Sequence, residues 1–226
     1  MWHFLRSCLS ACLAQHHDCA QGQDRHWFPE RLVSIQRRLQ KDPLLQLVET
    51  RQQPTRSVYI ALSHCWGAES FVRTTISNLR SHQTAIIYSS LPHTFQNAIT
   101  VAIEMNMEFI WIDSLCIVQD EVDDWARHAE QMDKIYHHAL FVVAASSSSA
   151  ASVPFLGPDA PTDRHLYRTV HIKTDDTEGN ISTKTTKVRN LSPELSPSWI
   201  RGPLEERAWA WQEALLCHQN YQLYRC

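Results

Sequence analysis

Apolar positions recur along this chain with two different periods, and the alternation between the two outlines its architecture. Leu5, Cys8, Leu9, Cys12 and Leu13 fall at spacings of three and four, which predicts an amphipathic docking helix over about residues 2–16. A linker runs to about Pro29, and the short runs Arg31–Ile35 and Leu44–Glu49, parted by Pro43, predict an N-terminal hairpin. Val58–Ser63 is β-branched and apolar and ends at His64-Cys65-Trp66-Gly67, a strand that runs into a loop where glycine permits a sharp exit of the backbone. Leu91-Pro92-His93-Thr94 opens a helix with Phe95, Ala98, Ile99 and Ala102 on one face, leading into a second buried strand, Glu108–Asp113. Residues 121–137 are expected to form one helix. Val122, Trp125, Ala129, Met132 and Tyr136 share its apolar face, and Glu121, Asp123 and Asp124 sit at the start, where the helix dipole favours acids. Leu140–Ala145 follows as a third strand.

Strands separated by helices of this length are the pattern of crossover units, so the centre is expected to be α/β, a parallel sheet flanked by helices. Ser146–Ser149 and the stretch to Thr162 read as loop. Residues 168–189 alternate weakly around Asp175–Asn180 and predict an exposed β-hairpin insertion. A Pro/Ser-rich linker, Asn190–Ser198, precedes a final helix from about Pro203 to Cys217 and a short strand at Tyr221–Tyr224. The expected division is an N-terminal helix and hairpin extension over residues 1–50, packed on a core domain over 51–226.

Composition narrows the partners. With 226 residues, 43% of them hydrophobic and 20% charged, the chain has the apolar content of an ordinary globular domain. A formal net charge of −3 and the lack of a Lys/Arg stripe argue against nucleic acid as the primary partner. Seven scattered cysteines, an odd number, argue against a secreted disulfide framework and for a reducing, cytoplasmic setting. The apolar N-terminal stretch has helical spacing rather than the form of a signal peptide, and no apolar run approaches the roughly 18 residues of a membrane span. The ligand types Cys8, Cys12, His16 and Cys19 allow a zinc site, but the first three also simply follow the i+4 stripe of a helix, and no metal is expected. Cys65 beside His64 is not a local thiol–imidazole dyad, because adjacent strand residues point to opposite faces; Cys65 reads as core.

Three blocks carry a resemblance. They are Ala61-Leu62-Ser63-His64-Cys65-Trp66-Gly67; Leu91-Pro92 through Trp111-Ile112-Asp113-Ser114-Leu115-Cys116-Ile117 to Gln119-Asp120, Trp125, Met132 and Ile135-Tyr136; and Gly202-Pro203-Leu204 with Arg207-Ala208-Trp209 and Gln212-Glu213. In this order, over roughly residues 58–217, they resemble the characteristic segments of the fungal heterokaryon incompatibility (HET) domain. The resemblance implies a role in non-self recognition and programmed cell death and a TIR-like (flavodoxin-like) fold. It also implies activity that depends on self-association, and fungal cell-death proteins as partners. TIR-like enzymes cleave the nicotinamide–ribose bond of NAD with a helix-borne glutamate, and Arg207-Ala208-Trp209-Ala210-Trp211-Gln212-Glu213 is similar to that segment. This makes Glu213 the candidate catalytic residue, with Arg207 and Trp209 beside it and NAD as substrate rather than cofactor. The segment Cys217–Cys226 looks shortened relative to the family.

On a helix Glu213 has Trp209 at i−4, Ala210 at i−3, Leu216 at i+3 and Cys217 at i+4, so its neighbours are apolar or weakly polar. A carboxylate there must face a cleft, be protonated, or pair with a cation such as Arg207 or Arg201. A carboxylate facing a cleft could stabilise the oxocarbenium-like species of nicotinamide loss, and nicotinamide leaves neutral, so no general acid is required. Ser63, His64, Trp66 and Gly67 after the first central strand, and Asp113, Ser114, Gln119 and Asp120 after the second, are the candidate substrate-binding walls, since ligands collect at the carboxyl ends of parallel strands. Trp66 could stack on a base or nicotinamide ring; as alternatives, Trp66 is core and Asp113 and Asp120 cap turns. Two rival functions remain beside the enzyme: a non-enzymatic interaction module that triggers death by assembly, and a nucleotide sensor that binds without turnover.

Overall fold

In the computed structural model, residues 2–15, 27–52 and 58–159 are described in full, and 167–175 and 181–189 as backbone. The first helix, α1, spans Trp2–Gln15, and its Trp2, Leu5, Leu9 and Leu13 pack half-buried against the core while Arg6 donates to the Glu104 carbonyl at 2.8 Å. This is the docking helix that the leucine and cysteine stripe predicts. Strands β1 (Arg31–Gln36) and β2 (Leu44–Glu49) pair antiparallel in continuous register from Arg31 opposite Glu49 to Gln36 opposite Leu44. They are the expected hairpin, and β1 also pairs antiparallel with a central strand, which makes the hairpin part of the main sheet.

The next strand, β3 (Ile60–Ser63), is buried at every position, as a strand covered on both faces must be. A short helix that the sequence pattern did not predict, α2 (Leu79–Thr84), follows the first loop. Pro92 then starts α3 (His93–Glu104), where Phe95, Ala98, Ile99 and Ala102 are all fully buried, the face read from their spacing. Asn106, with φ +58°, takes the left-handed conformation that ends a helix and turns the chain into β4 (Phe109–Trp111). Asp113–Cys116 forms a single helical turn, α4, so the predicted second strand ends before Asp113.

The long helix expected over 121–137 is instead two: α5 (Val122–Glu130) and α6 (Met132–His137), parted at Gln131. The predicted apolar face is corrected as well. Val122 is 80% and Trp125 53% exposed, while Asp124 and His128 point inward. The reason is electrostatic: Asp124 turns in to meet Arg31 of β1, and that pairing rotates the helix away from its apolar stripe. In α6 the expected Tyr136 is buried, with its hydroxyl donating to the Leu62 carbonyl at 3.3 Å.

The third central strand, β5 (Val142–Ala144), pairs parallel with β3, which pairs parallel with β4 on its other side. The sheet order is β2-β1-β4-β3-β5, a mixed α/β sheet whose parallel part runs second, first, third in chain order. After β4 the chain crosses back over β3, so by the right-handed rule the two crossovers lie on opposite faces and the winding reverses beside β3. Residues 161–201 form a second compact unit, within which β6 (Tyr167–Asp175) and β7 (Ile181–Arg189) pair antiparallel as the predicted hairpin. The predicted helix from Pro203 to Cys217 and strand Tyr221–Tyr224 lie outside the described residues.

Candidate functional site

Two loops meet at the carboxyl ends of β3 and β4. The first leaves Ser63, whose carbonyl accepts the Ala145 N–H at 2.9 Å, so this serine is fixed in the sheet. His64 is buried edge-on against Phe95, with ring centroids 4.9 Å apart, and Phe71 bridges Phe95 to Trp66 through two further edge contacts. The second loop presents Asp113. Its Oδ2 accepts the Trp66 Nε1–H at 2.8 Å, its Oδ1 accepts the Ser114 N–H at 2.6 Å, and His64 Nε2 lies 3.9 Å from that same oxygen. The Asp113 carboxylate therefore ties the indole of the first loop to the second loop, with the imidazole close by.

The other wall residues divide. Gly67 has φ +74° and passes so close to Ala150 that a Cβ would lie 2.5 Å from the Ala150 Cβ, which only glycine permits. Gln119 folds back on its own loop, donating to the Asp113 and Ile117 carbonyls at 3.2 and 3.1 Å. Asp120 caps a turn by accepting the Ile76 N–H at 2.8 Å, the alternative its sequence left open. Ser114 is fully buried, and its hydroxyl has no hydrogen-bond partner among the described residues. Glu213, Arg207 and Trp209 lie outside the described residues, as do Arg201, His16 and Cys19.

The strand order brings in a third loop that sequence reasoning passed over. Ser146–Ser149 leaves β5 beside β3, where the winding reverses, and the Ala151 N–H just beyond it donates to the Trp66 carbonyl at 3.3 Å. The serine cluster was the available signal, but only the order of strands places it at this end. A cavity of about 520 Å³ lies elsewhere, at the amino end of β4 between Gln36, Arg37, Asn106 and Glu108.

Behind the second loop lies a buried ion network. Arg31 donates from Nε to the Cys116 carbonyl at 2.8 Å and pairs through its terminal nitrogen with Asp124, whose carboxylate also accepts the Val118 N–H and an Arg127 N–H, each at 2.8 Å. Burial pushes the Asp124 carboxyl up, but the hydrogen bonds from Arg31 and Val118 and the charges of Arg31 and His128 outweigh it and hold the group below its ordinary range. Glu30, Asp124 and His128 bring ligand-type atoms within 4.8 Å of one another, yet the two guanidiniums already satisfy the central carboxylate, which disfavours a cation there. Burial pushes the Cys116 thiol up to about 12, so it stays protonated and is no nucleophile at neutral pH. Cys65 is buried, as the core reading expects.

A family model described as heterokaryon incompatibility protein (HET) matches residues 59–213, well over half of the chain. The chain belongs to the HET family. No curated protein and no solved structure matches it. The HET match opens at the start of β3, takes in all three loops gathered at the carboxyl end of the sheet, and runs to Glu213. Membership assigns the chain a heterokaryon incompatibility-type role. No helix among the described residues is long and apolar enough to cross a membrane.

Proposed function

We propose that this HET domain is a TIR-like enzyme that hydrolyses NAD at the nicotinamide–ribose bond, on self-association in the cytoplasm, as a step in programmed cell death. The observation that supports the reading best is the Asp113 carboxylate bound by Trp66, with His64 3.9 Å away, at the carboxyl end of parallel strands. The second–first–third order of its strands is that of flavodoxin-like sheets, which take their ligands at this end, beside the strand where the winding reverses. In this reading the three loops hold the nucleotide. Glu213 stabilises the positive charge that develops on the ribose as neutral nicotinamide departs, and water then takes its place. Arg207 and Trp209 complete the wall near Glu213, and NAD is substrate, with no further cofactor required.

Purified protein at high concentration, incubated with NAD, is expected to release nicotinamide, and Glu213→Gln to lose at least about a hundredfold in rate with an unchanged Tm. Equal release by both chains would refute the role of Glu213, and a large fall in Tm would assign it to an ion pair. A second reading, a non-enzymatic module that acts by assembling fungal cell-death partners, draws on the exposed Val122 and Trp125 of α5. It predicts intact NAD together with partner binding that Trp125→Glu abolishes.

A further inference from the structure

We propose that Thr74 is a positioning residue of this site, a buried clasp that holds the segment 114–119 so that Asp113 stays turned toward Trp66. The proposal rests on the reading of the Asp113 loop as a ligand wall. Thr74 is fully buried although it sits in a polar stretch between two exposed residues, Arg73 and Ile76, and a half-buried one, Thr75. Its N–H donates to the Ser114 carbonyl at 2.9 Å, and its own carbonyl accepts the Gln119 N–H at 2.8 Å, so one residue ties both ends of the turn that follows Asp113. Its hydroxyl donates to the Leu115 carbonyl at 2.6 Å and contacts His82 Nδ1 at 2.9 Å.

A carbonyl oxygen can only accept, so the hydroxyl proton is committed to Leu115 and the His82 contact must use the proton on Nδ1. That fixes the His82 tautomer and makes the hydroxyl a relay between α2 and the loop. The same turn is held from its other side through Cys116 and Val118 by the Arg31–Asp124 pair. The two clasps leave Asp113 at the head of an immobilised turn, where its carboxylate has little freedom to leave the Trp66 indole.

The Trp66 indole N–H resonance, assigned by its loss in Trp66→Phe, reports the bond to Asp113 directly. In Thr74→Val, which keeps the shape and removes the hydroxyl, that proton is expected to shift and to exchange with solvent about tenfold faster, the equivalent of one lost hydrogen bond. The Trp125 indole should be unmoved, and Thr74→Ser, which restores the hydroxyl, should return the Trp66 signal to its original position. If the valine chain does not fold, Thr74→Cys takes its place. An unchanged Trp66 indole, or one that moves only together with all the others, would overturn the proposal and leave Thr74 a purely structural residue. With NAD, KM is expected to rise about tenfold in Thr74→Val with a smaller change in kcat. If the wild-type chain releases no nicotinamide, the parent reading falls, while the indole comparison still decides the clasp.

Discussion

Gly67 and Asp124 show how single residues can be critical for opposite reasons. At Gly67 the backbone adopts a conformation that side chains resist, with no room for a Cβ against Ala150. Gly67→Ala is therefore expected to cost about 2 kcal/mol or more, read as a lowered midpoint in urea. Asp124 is critical because of what it neutralises. Asp124→Ala leaves the buried Arg31 beside the Cys116 carbonyl with only the more exposed Glu30, 3.7 Å away, as counter-charge, and a loss of about 3 kcal/mol is expected. Replacing both partners with apolar residues, as in Arg31→Met with Asp124→Leu, should recover most of that loss; a double variant as unstable as the single one would show that the pair holds more than itself. The glycine was legible in the sequence, because a strand that ends on His-Cys-Trp-Gly needs a sharp exit. The aspartate was not. Read locally it is one of three acids at a helix start, and only its partner 93 residues away gives it a different role.

At the scale of elements, short-range periodicity read well wherever one face of an element meets a uniform apolar surface. The hairpin, β3, α3, β5 and α1 all follow from their own residues, because burial there is decided by the pattern itself. Helix α5 departs from its pattern because a buried ion pair overrides a stripe of modest apolar residues, and the helix turns with Asp124. The consequence is testable. Trp125→Gln should change stability by no more than about 0.5 kcal/mol in thermal melting, as for an exposed site, whereas a core position would lose several times as much. Helix α2 was not legible either; Leu79 and His82 lack a repeating partner, and it is the Thr74–His82 contact and the bridge between Leu45 and Ile86 that give the segment its place.

For the molecule as a whole, acid should be the weak direction. Burial lowers the pKa of His82 below its ordinary 6.5, so as the pH falls through that value the unfolded chain takes up a proton that the folded chain resists, and stability declines. Asp124 adds a second decline. Its folded carboxyl lies below the ordinary 3.8, so its contribution is complete above that value and is lost as the pH falls further through the folded value. The Tm is therefore expected to fall in two stages between neutrality and strong acid, with the upper stage missing in His82→Phe. A flat profile down to pH 4 would contradict the first assignment. By itself the sequence determined the identity and sequential order of most elements, the family, and the residues that end each central strand, because these depend on local spacing and on motifs read in order. The tertiary structure alone decided the order of strands across the sheet, the serine loop that this order brings beside Trp66, the inward turn of Asp124, and the grip of Thr74 on the Asp113 loop. Each of these is a contact between residues distant in the chain, and no local period encodes which distant group a buried polar side chain will meet.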